Sequence, residues 1–225
     1  MMKKLLVPAV TALAAVGGVW WYAGSTTAEL TTLVPPASAQ ESATASSAVA
    51  LVPDMILGDQ NAPVTVVEYA SFTCPHCANF HDTVYDEFKK NYIDTGKVKF
   101  VYREVYFDKY GLWAAMVARC GGPEKYFGIS DMLYDDQREW LASGADQGIA
   151  DELRKIGLKA GMNADQINAC LNDNDMARAM VTAYQTNATN DNVKGTPTFL
   201  INGELHSGEM SYADFAALLD AALAN

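Results

Sequence analysis

Hydrophobic and polar positions divide most of the chain into short apolar runs and longer periodic stripes. Val64-Thr-Val-Val-Glu-Tyr-Ala70 is short, β-branched and apolar, and is bounded by Pro63 and Ser71. That pattern predicts a buried strand. A helical pattern follows it, with Phe80, Val84 and Phe88 on one face at i, i+4 and i+8. Gly96 breaks the pattern, and Val98–Glu104 reads as a second strand, so the three segments make a βαβ unit.

The next stretch is helical in period. Leu112, Trp113, Met116, Val117 and Cys120 form one stripe, ended by Gly121-Gly122. Pro123 can open a second helix carrying Tyr126, Phe127 and Leu133, because the N–H it lacks would find no partner at that position. Ile149, Leu153 and Ile156 form a third stripe, expected to stop at Gly157. Asn163 is placed to cap a fourth helix with Ile167, Cys170 and Leu171 inward, and Met176, Met180 and Tyr184 lie on a fifth. Strand character returns in Thr198–Ile201, turns at Asn202-Gly203 and resumes over Glu204–His206, the strongest short hairpin signal. Ser211 caps a final helix with Phe215, Leu218 and Leu219 inward. The order is βαβ, a helical block, then ββα.

The N-terminal part has a different pattern. Lys3 and Lys4 precede 20 uncharged residues, Leu5–Gly24, which as helix would span about 30 Å, enough to cross a bilayer. Trp20, Trp21 and Tyr22 sit where an interfacial aromatic belt would lie, while the best small-x-small site, Ala37-Ser38-Ala39, begins 13 residues beyond the apolar end. Residues 1–24 therefore read as either a retained anchor or a cleaved signal peptide, and both export the rest of the chain. No twin-arginine pair is present. Residues 25–52 are rich in Ser, Thr, Ala and Pro without a sustained apolar period, and are expected to form a flexible linker. The folded part is expected over 53–225.

Charge excludes one class of function. The chain carries 16 basic and 27 acidic side chains, net −11, and the whole excess belongs to the part after residue 52. Such a surface repels phosphate backbones, and no Lys/Arg cluster overrides it, so no nucleic-acid partner is expected. Three histidines, His76, His81 and His206, are too scattered for a multi-histidine metal centre. His81 and His206 read as surface or internally satisfied side chains.

Four cysteines are too few to build a disulfide scaffold, and their spacing is more informative. In Cys74-Pro75-His76-Cys77 the first sulfur stands at a helix start, where backbone N–H groups and the positive end of the helix dipole stabilise a thiolate. His76 adds a nearby donor that can be cationic. Cys74 is therefore the expected nucleophile and Cys77, a turn further in, the resolving sulfur. A structural disulfide at this spacing would be strained and would constrain little chain. A zinc site would need further ligands, and His81 lies about 10 Å along the helix from Cys74, too far to share one ion with it. Redox exchange is favoured over both.

The segment Glu68-Tyr-Ala-Ser-Phe-Thr-Cys74-Pro75-His76-Cys77, with Val193-Lys-Gly-Thr196-Pro197-Thr-Phe-Leu-Ile-Asn-Gly203 far downstream, resembles the DsbA family of thiol-disulfide oxidoreductases. The resemblance covers roughly residues 54–225 and implies an α/β thioredoxin-like fold (βαβ…ββα) with an inserted helical domain at about 108–190. It implies a cis Pro197 facing the Cys74 sulfur, with the Thr196 backbone free to pair with a substrate peptide. It also places Glu68 where the family carries a buried acid, here a proton acceptor for Cys77 if it is not simply a solvent-facing strand carboxylate. The implied partners are reduced, unfolded secreted proteins and a DsbB-like membrane reoxidant. The implied compartment is the periplasm, and no cofactor is expected beyond the redox-active Cys74–Cys77 pair. Cys120 and Cys170 lie on apolar faces of two helices of the block; in an oxidising compartment they are expected to be joined, the alternative being two buried thiols. Thr196 also accompanies isomerases and reductases in the wider superfamily, so these remain alternatives, as does a membrane-tethered chaperone or binding module. Residues 25–52 offer no apolar heptad for dimerisation, and a monomer is expected.

Overall fold

A computed structural model describes residues 52–224. The expected signal or anchor and nearly all of the expected linker lie outside the described residues.

The apolar run Val64–Ala70 forms strand β2 at the centre of a five-stranded sheet of order β1-β3-β2-β4-β5. β1 is Met55–Leu57, β3 is Val98–Glu104, β4 is Thr198–Ile201 and β5 is Glu204–Ser207. β2 and β3 run parallel, joined by a helical crossover, and every other pairing is antiparallel. Both faces of β2 are covered, which is why its sequence is nearly continuous in apolar residues rather than alternating. Glu68 is the exception. It pairs with Tyr102 on one side and Phe199 on the other, so a carboxylate sits in mid-sheet on an otherwise apolar face.

Helix α1, residues 75–93, carries the crossover. It begins as regular helix at Pro75–Phe80 and continues through wider π-turns at His81–Tyr85 and Lys89–Ile93. Phe80, Val84 and Phe88 are buried, as their spacing predicts. Phe80 and Phe88 pack with Phe199 and Phe215 in an aromatic cluster against the last helix, α8 (Tyr212–Leu223), which Ser211 caps by accepting from the Asp214 N–H.

Between β3 and β4 lie α2 (Lys109–Cys120), α3 (Pro123–Asp135), α4 (Gln137–Leu141), α5 (Asp146–Lys159), α6 (Ala164–Leu171) and α7 (Asn174–Asn190). Asn163 caps α6 by accepting from Gln166 N–H. Three details depart from the periodicity. Gly157 does not stop α5, which runs on to Lys159; a Cβ at Gly157 would stand 2.7 Å from Ile167 Cδ1, so the glycine permits close packing of α5 on α6. Leu112 and Trp113 are only half-buried, whereas Ala114, Ala115, Met116, Val117 and Ala118 are all buried, so α2 is enclosed on every side there rather than along one stripe. β1 and α4 were not expected, being too short to carry a periodic signal.

Cys120 and Cys170 are joined, tying α2 to α6. One residue earlier, Arg119 donates from Nη2 to Glu104 Oε2 at 2.6 Å and from Nε to Oε1 at 2.7 Å, locking α2 onto the end of β3. Tyr126 donates to the same carboxylate. No described helix is long and apolar enough to cross a membrane.

Candidate active site

β2 ends at Ala70, and residues 71–73 turn the chain so that Cys74 caps α1 with an extended backbone. Pro75 takes the first helical position. Cys74 and Cys77 are free thiols, and both are buried. Their environments differ sharply. A hydrogen bond from the Cys77 thiol is the main influence that lowers the Cys74 pKa from 9.0 to about 5; burial opposes it, and Thr196 and the backbone N–H groups of Cys77 and His76 add to it. Cys77 goes the other way: burial first, then the Cys74 sulfur and the charge of Glu68, hold its proton on strongly. The pair thus consists of one sulfur poised as a thiolate and one held as a thiol.

Pro197 follows a cis peptide bond, and the Thr196 carbonyl faces the reactive sulfur, accepting from the Cys74 thiol at 3.6 Å. The His76 ring, 69% exposed, turns outward, with Nδ1 2.9 Å from Glu209 Oε2. Glu209, in the loop after β5, raises the His76 pKa and also accepts from Asn79. Beneath Cys77 lies Glu68, fully buried, with His81 Nε2 3.4 Å from its Oε2. His81 is therefore neither on the surface nor satisfied: among the described residues, neither ring nitrogen has a hydrogen-bond partner. Tyr102 and Tyr134, whose hydroxyls bond to each other, complete the pocket, and burial pushes both phenols up.

A family model described as Thioredoxin matches residues 51–221. The chain belongs to the thioredoxin family, among its DsbA-like members. The crystal structure of alpha-DsbA1 from Wolbachia pipientis superposes with a TM-score of 0.70 at 28% identity, covering 78% of this chain and 94% of that one. A Rickettsia conorii relative, provisionally named a protein-disulfide oxidoreductase, is 34% identical over 171 residues, 76% of this chain and 60% of that protein. Disulfide bond formation protein D of Bacillus subtilis is 26% identical over 177 residues, 73% of this chain and 75% of that protein. The chain thus spans about three-fifths of the length of its Rickettsia relatives.

In this DsbA-like chain the helical block supplies parts of the site that the motif does not announce. Gln137, at the start of α4, donates from Nε2 to the carbonyls of Phe72 at 2.9 Å and Cys74 at 3.0 Å. Asp108, the cap of α2, accepts from Thr73 Oγ1 at 2.8 Å. Nothing in the spacing points to Gln137, Asp108 or Glu209, since each reaches the site through tertiary contact. His81 was legible in principle: Cys77, His81 and Tyr85 are four apart and share one face of α1. No cluster of three or more His, Cys, Asp or Glu side chains placed to hold a metal ion occurs among the described residues.

Proposed function

We propose that this chain is an exported thiol-disulfide oxidoreductase that introduces disulfide bonds into secreted proteins in the periplasm, tethered through residues 5–24 or released from them. The observation that carries the reading is the unequal placement of the cysteine pair: Cys74 caps α1 and faces the Thr196 carbonyl before cis Pro197, while Cys77 is fully buried near Glu68, which holds the first pKa low and the second high. A low-pKa nucleophile stabilises the reduced form, and a dithiol that prefers to stay reduced is an oxidant.

In the proposed reaction a substrate thiolate attacks the Cys74 sulfur of the enzyme disulfide. The Cys74–Cys77 bond breaks, its electron pair goes to Cys77, and a proton follows, with Glu68 as its donor. The second substrate thiolate then attacks the substrate sulfur of the mixed disulfide and releases Cys74 as a thiolate. The substrate has lost two electrons and the cysteine pair has gained them, so the sulfurs themselves carry the electrons and no cofactor takes part. A DsbB-like membrane partner takes the electrons away. The backbone at Thr196, facing Cys74, supports an extended substrate peptide pairing there. His76 and the helix start favour the Cys74 thiolate, Pro75 starts the helix that presents it, and Cys120–Cys170 braces the block.

Measuring the Cys74–Cys77 equilibrium with glutathione tests this. A potential well above that of thioredoxin, about −270 mV, is expected. A value near thioredoxin's would make the chain a reductase. Cys74→Ser is expected to abolish activity on a reduced unfolded substrate, and persistence of an effect on folding in that variant would point to a chaperone instead.

A further inference from the structure

Cys77 and Glu68 are both closed off from solvent. A proton passed from Glu68 to the Cys77 sulfur must therefore be replaced from within the protein. A group placed to do so is His81, whose Nε2 is 3.4 Å from Glu68 Oε2 and whose side chain is only 6% exposed. Both Glu68 oxygens and both His81 nitrogens are buried and lack hydrogen-bond partners among the described residues. Leaving buried polar atoms unbonded is costly, so such a pairing calls for an explanation. The imidazole is gripped by its faces, stacked on Tyr134 at 4.0 Å and Tyr85 at 4.6 Å, with Tyr102 edge-on at 6.3 Å. That clamp fixes the ring while leaving its nitrogens available. The titratable groups packed around the ring are thus Glu68 from β2, Tyr102 from β3, Tyr85 from α1 and Tyr134 from α3.

We propose that His81 relays protons to and from Glu68, so that Cys77 gains and loses its proton without being exposed. The inference rests on the oxidoreductase reading and deepens it. When the Cys74–Cys77 bond is opened by a substrate thiolate, the leaving Cys77 thiolate takes a proton from Glu68. His81 gives one to the Glu68 carboxylate, and water restores His81 at its slightly exposed edge. When Cys77 closes the bond again, expelling a thiolate from Cys74, its proton passes outward along the same path. His81 acts through Glu68 and is a positioning residue for that carboxyl as well as its proton partner.

The test uses the reduced full-length chain and oxidised glutathione, with acid quenching and mass spectrometry to separate two steps. First Cys74 attacks and becomes glutathionylated; then Cys77 resolves the adduct. Only the second step moves the Cys77 proton. His81→Phe keeps an aromatic ring between Tyr85 and Tyr134, and His81→Gln keeps a hydrogen-bonding side chain beside Glu68 but cannot pass a proton through. Both are expected to leave the first step within about twofold and to slow the second by about tenfold or more, so that the glutathione adduct on Cys74 accumulates. Combining His81→Phe with Glu68→Gln is expected to be no slower than the slower single variant, because both interrupt one path. Resolution at the wild-type rate in His81→Gln would overturn the proposal, as would full additivity in the double variant. Equal slowing of both steps would reduce His81 to packing. If the wild-type chain fails to exchange with glutathione at all, it is the oxidoreductase reading that falls.

Discussion

The unequal cysteine pair makes the redox potential depend on pH in a distinctive way. With Cys74 lowered to about 5 and Cys77 raised, reduction between pH 5 and 9 yields one thiolate and one thiol. One proton is then taken up for two electrons, so the potential should fall by about 30 mV per pH unit over this range. Below pH 5 both sulfurs take protons, and the slope should steepen to about 60 mV. A pair of ordinary thiols would follow the steeper slope through the neutral range. The sign comes from linkage: because the folded-state pKa of Cys74 is depressed, the stabilisation of the reduced form is complete above the ordinary thiol pKa of 9.0 and is lost as pH falls through about 5. At pH 7 the bias toward the reduced form is about a hundredfold, or about 60 mV, an upper figure because contact with solvent weakens the interactions behind it. The assay is glutathione equilibration at half-unit steps of pH, with the ultraviolet absorbance of the Cys74 thiolate as an independent titration. A slope near 60 mV per pH unit through neutrality, or a thiolate midpoint near 9, would refute the account.

Other outcomes depend on individual contacts. Cys77→Ala removes the largest influence holding the Cys74 pKa down and should raise the thiolate midpoint by about 1–2 pH units, a charged hydrogen bond being worth about 1.5–3 kcal/mol. Glu209→Gln should lower the pH at which His76 titrates in NMR spectra, because the carboxylate is what raises it. Replacing both Cys120 and Cys170 with Ala opens a crosslink spanning 50 residues and should cost about 4 kcal/mol in denaturant unfolding, with the Cys74 thiolate midpoint unchanged. Gln137→Ala leaves the Phe72 carbonyl without its side-chain donor and should lower stability by about 1–3 kcal/mol, read as a shifted urea midpoint.

Much of the architecture was legible in the sequence. β2, β3 and β4 begin and end at the residues marked by their β-branched runs and turn signals, because a strand covered on both faces has no polar alternation to blur its edges. The Ser211 and Asn163 caps could be placed because capping is a local interaction. Failures arose where tertiary contact overrides local preference. Gly157 looks like a helix stop, yet Ile167 needs the space its missing side chain leaves. His81 looks like an ordinary polar residue, and only the sheet register that brings Glu68 beneath α1 sets a buried carboxylate 3.4 Å from its ring. Glu209 meets His76 across 133 positions of sequence, a pairing no local pattern encodes.

Gln137 has a wider consequence. Its amide grips the backbone on either side of Thr73, more than 60 positions earlier in the chain, so the inserted helices are fastened to the turn that aims the reactive sulfur. The insertion is not a passenger that could be grafted elsewhere or trimmed while the α/β framework keeps its chemistry. Changes in α4 reach Cys74 through two carbonyl oxygens, and the two halves of the fold are free to diverge only so long as that grip is kept.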